Sequence, residues 1–202
     1  PQTPPTEQLQ SIINLYTQGQ LKQALSESSE MLEKFPYSVD LYNIAGASNA
    51  GLMQLDAAID CYIQAIKIKP DYAEVYYNMG NALKSMGNLD SSIDSYKQAI
   101  KFKPDYAGAY NNMGVALQDK GNQEEAIASY EQALEIKPDF SESYRNMGIS
   151  LQNKGDMKAA IASYEEAIKL KPYDAEAYYN MGVALVEKGA LDAGIKSYEM
   201  AL

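Results

Sequence analysis

Apolar and small residues along this chain fall into paired runs with helical spacing. Within residues 107–140 they stand at Tyr110, Met113, Gly114 and Leu117, and again at Ala126, Ile127, Tyr130, Ala133 and Leu134. Steps of three and four place each set on one face of a helix. Gly121 separates the two runs and Asn122 is placed to cap the second. Pro138 ends that second helix, and Asp139 is the predicted N-cap of the one that follows. The predicted unit is a helical hairpin.

The hairpin recurs. Pro36, Pro70, Pro104, Pro138 and Pro172 stand 34 residues apart, and the pattern between them repeats in one phase. A unit of this length cannot bury its apolar face alone, so successive hairpins must stack. Small residues mark the predicted helix crossings: Gly80, Gly114, Gly148 and Gly182 on first helices, Ala99, Ala133, Ala167 and Ala201 on second helices. Tyrosines fill the space beside them, among them Tyr62, Tyr96, Tyr130, Tyr164 and Tyr198. The expected organisation is a tail at 1–5, an irregular first repeat at 6–38, and five further repeats over 39–202, the last incomplete. The first repeat has Ile12 at the glycine position and Met31 at a small-residue position, while Met53 replaces a turn glycine with Gly51 two residues before it. That second substitution predicts a helix ending in a different register. A start at Pro1 and an end at Leu202 inside a helical run predict a piece of a longer chain whose last helix lacks a polar cap.

The set Tyr76, Met79, Gly80, Leu83, Gly87, Tyr96, Ala99 and Pro104 resembles the tetratricopeptide repeat, with Ser92 as a mild departure. The resemblance covers nearly the whole chain. It implies an all-α, right-handed superhelical solenoid of antiparallel helix pairs, about six repeats long, whose first helices line a concave groove. The inward pairs would then be Asn43 and Ile44, Tyr77 and Asn78, Asn111 and Asn112, Arg145 and Asn146, Tyr179 and Asn180. Asn78, Asn112, Asn146 and Asn180 form a ladder, which is similar to the asparagine ladder of the O-linked N-acetylglucosamine transferase repeats that grip extended polypeptide. A side-chain amide both donates and accepts, so it pairs with peptide backbone whatever the sequence. Helices about 8–10 Å apart and a chain advancing about 3.3 Å per residue match one amide to every third residue. The alternative is that these amides bridge neighbouring helices, and the two roles are compatible. Tyr77, Asn111, Arg145 and Tyr179 vary between constant neighbours and are expected to tune preference. The Arg145 fork suits a partner's carboxylate or phosphate, or else pairs with Glu142 or Glu176.

Composition narrows the function. With 17 Lys and Arg against 27 Asp and Glu, a net charge of -10, the phosphate attraction behind nucleic-acid binding is missing. No apolar run approaches the roughly 20 residues of a membrane span. The chain has no histidine, which excludes imidazole-based metal sites and triads, and Cys61 occupies a slot held elsewhere by Ser95, Ser129, Ser163 and Ser197. One cysteine makes no internal disulfide, so a cytoplasmic location is the expectation. No catalytic residue, metal or cofactor is predicted. Asp40, Glu74, Glu142, Glu176, Asp119 and Glu187 would make the groove acidic against Lys84 and Arg145, although acids also suit helix N-termini. A neutral or basic extended segment is therefore the expected ligand, and the lysines that clamp chaperone C-termini in one subclass of the family are missing. The reading is a protein-protein interaction module. Its rivals are a homo-oligomer built through the last helix, and the substrate-recruiting arm of a larger glycosyltransferase-like enzyme.

Overall fold

The structure, a computed structural model, describes residues 3–202. All regular structure among the described residues is helical, in two compact units that meet in sequence at Pro104 and Asp105. The first unit holds α1 (Thr6–Thr17), α2 (Leu21–Lys34), α3 (Val39–Gly51), α4 (Leu55–Ile68), α5 (Ala73–Ser85) and α6 (Leu89–Phe102). The second holds α7 (Ala107–Asp119), α8 (Gln123–Ile136), α9 (Ser141–Asn153), α10 (Met157–Leu170), α11 (Ala175–Glu187) and α12 (Leu191–Met200). Within each unit consecutive helices pack on one another, and first helices also touch across the stack, α1 with α3, α3 with α5, α7 with α9 and α9 with α11.

The hairpins are closed by one repeated contact. A Cβ built on Gly46, Gly80, Gly114, Gly148 or Gly182 would lie 2.5 or 2.6 Å from the ring of Tyr62, Tyr96, Tyr130, Tyr164 or Tyr198 respectively. Only a hydrogen fits there. Tyr62, Tyr96, Tyr130 and Tyr164 are fully buried as a result, each contributing on the order of 2 kcal/mol from its apolar area. Burial pushes the phenols of Tyr62, Tyr130 and Tyr164 well above their ordinary range, so they stay neutral donors. Their hydroxyls reach the first helix: Tyr96 donates to Asn81 Oδ1 at 2.7 Å, Tyr130 to Gln118 Oε1 at 3.1 Å and Tyr164 to Gln152 Oε1 at 3.0 Å. In the first hairpin the sizes are exchanged. Ile12 stands at the glycine position and Ser28 at the tyrosine position, both buried, inside a cluster with Ala24, Met31 and Leu41.

The ends of the helices correct three sequence expectations. Met53 has φ 62°, the same left-handed conformation as Gly87, Gly121, Gly155 and Gly189 at the matching turns. Helix α3 therefore ends in the common register, and Met53 carries the backbone strain that glycine avoids elsewhere, about 1–2 kcal/mol. Asp139 is not the N-cap of α9. Phe140 is, and Lys137 lies over its ring at 4.9 Å, as Lys69 lies over Tyr72 at 4.8 Å. An aromatic at the cap offers no acceptor, so the orphan N–H groups turn to backbone: Ser143 N donates to Phe140 O at 3.0 Å. Asp174, where the order of acid and aromatic is reversed, does cap α11 through Ala177 N. Asn122 caps α8 without a side-chain bond, whereas Asn88 accepts from Ser91 N.

The glycine contact sets a sign that helix propensity alone would get wrong. Gly to Ala normally favours a helix interior by about 1 kcal/mol. Gly148→Ala should instead destabilise by about 1–3 kcal/mol, because the methyl displaces the Tyr164 ring. Urea titration followed by far-UV circular dichroism reads this directly, and an unchanged or raised midpoint would contradict it.

Candidate functional site: the amide-bearing edges of the first helices

In the first unit, α3 and α5 present Asn43, Tyr77 and Asn78. Asn78 Nδ2 donates to Asn43 Oδ1 at 2.9 Å, and Asn43 Nδ2 donates to Glu74 Oε1 at 3.3 Å. Asn43 is 8% exposed, while Asn78 is half-buried and lines a cavity of about 400 Å³ between α1, α3 and α5. Tyr77 lies half-buried with its ring 6.1 Å from that of Tyr96.

In the second unit the same offset recurs. Asn146 Nδ2 donates to Asn111 Oδ1 at 3.2 Å, the donor again lying on the next repeat's first helix. Ser143 Oγ donates to the same oxygen at 2.9 Å, and Asn111 Nδ2 donates to Asn112 Oδ1 at 3.0 Å. Asn111 is 1% exposed. It is a seam residue, which corrects its expected role as a variable contact to a ligand. Asn112 and Asn146 are half-buried beside it.

Arg145 is likewise committed. Its Nη1 reaches both carboxylate oxygens of Asp174, at 3.1 and 3.0 Å, and Glu176 Oε2 at 3.0 Å. Glu142, the other partner the sequence suggested, is not used. Asp174 did not stand out in the sequence, where Glu142 and Glu176 were the expected partners of Arg145. Tyr179 and Asn180 stand on α11 beside a second cavity of about 730 Å³, shared with Tyr198. Tyr179 is 58% exposed with its ring 5.7 Å from that of Tyr198.

The arrangement is therefore both a seam and an edge. An amide has two N–H donors and two lone pairs. Asn78 and Asn146 each place one N–H in the seam and keep a second N–H and the carbonyl oxygen. Cys61 accepts a weak bond from Asn49 Nδ2 at 3.8 Å, and burial pushes its thiol up, away from the reactive thiolate. Among the described residues no helix is long and apolar enough to cross a membrane.

Family comparison bears on the repeat architecture. A model described as TPR repeat matches residues 54–87, 80–121 and 153–189, and one described as tetratricopeptide repeat matches 107–140. The chain belongs to the tetratricopeptide repeat family. Over 70 residues it is 37% identical to a probable UDP-N-acetylglucosamine–peptide N-acetylglucosaminyltransferase SEC of Arabidopsis thaliana; the match spans 35% of this chain and 7% of that protein. Among solved structures it is similar to MamA, with TM-score 0.74 and 26% identity over 81% of this chain and 90% of that one. It is also similar to YrrB, described as a TPR protein with an unusual peptide-binding site, with TM-score 0.70 and 19% identity over 86% of this chain and 90% of that one. The repeat fold is generally a non-catalytic scaffold that binds peptides or proteins, and this chain is a protein-interaction module of that kind.

Asn111→Ala should cost about 1–3 kcal/mol, since Ser143 and Asn146 would lose their acceptor in a buried seam. Thermal unfolding checks this, and a loss below about 0.5 kcal/mol, the bottom of the net hydrogen-bond range, would mean that the seam does not hold the stack.

Proposed function

We propose that the amide edges bind an extended segment of a partner protein through its backbone. In the first unit Asn78 does this. In the second, Asn112, Asn146 and Asn180 stand on successive first helices, at intervals that suit every third residue of an extended chain. Tyr77 and Tyr179 flank these amides as apolar walls. The observation that carries the reading is that Asn78 and Asn180 line open cavities while retaining hydrogen-bonding capacity. The acidic residues Asp40 and Glu74 at the first of these cavities favour neutral or basic segments.

The likeness to a probable N-acetylglucosaminyltransferase supports a compatible placement, in which the module is the substrate-recruiting arm of such an enzyme. A second reading rests on α12. Ile195 is 54% exposed where its counterpart Ile161 is 8% exposed, and Leu191 and Met200 are exposed beside it. That face would let copies associate end to end, and light scattering over a concentration series separates this from a monomer that binds peptide.

The test is replacement of Asn78, Asn112, Asn146 and Asn180 by alanine, with fluorescence anisotropy against a pool of uncharged peptides about nine residues long, the reach of three amides. Affinity should fall more than about tenfold, each amide being worth about 1 kcal/mol. Asn180→Ala alone, which removes no seam bond, should cost about fivefold by the same arithmetic. Unchanged affinity in a folded variant would refute the ladder.

A further inference from the structure

The repeat carries its own internal control for charge. In the second unit Arg145 lies between two acids at the start of the next first helix, Asp174 and Glu176, at 3.0 Å from each. Three periods earlier the matching positions are Asn43 for Arg145, Tyr72 for Asp174, Glu74 for Glu176, and Asp40 for Glu142. Glu74 is thus the same carboxylate that a guanidinium neutralises in the second unit. Here the residue facing it is a shorter, neutral amide.

Two things are left uncompensated, charge and space. Glu74 accepts one bond from Asn43 at 3.3 Å, and Asp40 accepts one from the Tyr72 hydroxyl at 3.3 Å. A carboxylate has about four acceptor positions, so most of that capacity is unused. Both acids border the cavity of about 400 Å³, together with Tyr16, Asn43 and Asn78, and its lining contains no lysine or arginine. Lys69 sits over the Tyr72 ring at 4.8 Å. The phenol of Tyr72 is pushed up to about 12, by burial first and then by the charges of Glu74 and Asp40. The cavity wall thus carries two carboxylates and no cation.

We propose that this cavity receives an arginine side chain from the bound polypeptide, its guanidinium reaching Glu74, as Arg145 reaches Glu176, and also Asp40 on the same wall. The inference rests on the reading of the chain as a binder of extended segments and names a specificity position within it. Arginine is preferred over lysine because a planar fork spans two carboxylates at once, whereas an ammonium is a single strongly hydrated point. The Tyr16 ring adds a face on which a guanidinium can lie.

The experiment compares an otherwise uncharged peptide carrying one central arginine with the same peptide carrying citrulline, which keeps the shape but removes the charge and replaces one guanidinium nitrogen by a carbonyl oxygen. Anisotropy is measured with the unmodified chain, with the double variant Asp40→Asn, Glu74→Gln, and with Asn43→Arg. The unmodified chain should bind the arginine peptide about tenfold tighter, with the margin shrinking as salt is raised. The double variant keeps the acceptors used by Tyr72 and Asn43 and should bind both peptides equally. Asn43→Arg supplies the guanidinium from within the chain, as Arg145 does, and should also abolish the margin. Equal binding of both peptides to the unmodified chain would overturn the arginine site while leaving backbone recognition standing. Binding of neither peptide would overturn both. A margin that survives in the double variant would place the cation elsewhere and overturn the assignment.

Discussion

Every hairpin after the first depends on a helix surface with no side chain at one point and a tyrosine ring filling that point from the partner helix. The fit is so close that a single methyl group would collide with the ring. It brings the two helix axes together and carries the tyrosine hydroxyl through to a polar residue of the first helix. Everything at the edge of the first helix is placed by that contact. The first hairpin keeps the total volume by exchanging the roles, with Ile12 and Ser28 in place of glycine and tyrosine. Cores tolerate such exchanges when volume and pattern are kept.

In the proposed reading the asparagines serve stacking and recognition together. At the seams Asn78–Asn43 and Asn146–Asn111, the donor belongs to one repeat and the buried acceptor to the repeat before it. Packing fixes the amide plane, so the remaining N–H and carbonyl point in a defined direction before any ligand arrives. Such pre-organisation lowers the entropy lost on binding. Charge differs between the repeats: Glu176 is paired by Arg145 from within the chain, whereas Glu74 meets only the neutral Asn43 amide.

Much of this was legible in the sequence. The period, the hairpin, the glycine and tyrosine slots and the family all follow from spacing, because stacked repeats impose the same constraint at each step. The registers of the caps were not, since Asp139 and Phe140 compete for one position and Phe140, with Lys137 over its ring, takes it. Met53 hid the end of α3 because a left-handed methionine has no signature of its own. The two asparagines at neighbouring positions looked interchangeable, yet Asn111 is the buried acceptor and Asn112 the partner nearer the surface. Which of two adjacent amides turns inward depends on helix rotation by one residue, about 100°, and only packing against the next repeat settles that.

The central claim is that recognition is directed at peptide backbone. It is tested most directly by isothermal titration of one bound peptide against two derivatives, one with scrambled side chains and one N-methylated at every third residue. Scrambling should change the dissociation constant by less than about threefold, within the scatter of a single weak contact. N-methylation should raise it by about tenfold or more, since it removes N–H donors that the asparagine carbonyls accept. Equal binding of the N-methylated peptide, with loss on scrambling, would contradict the account.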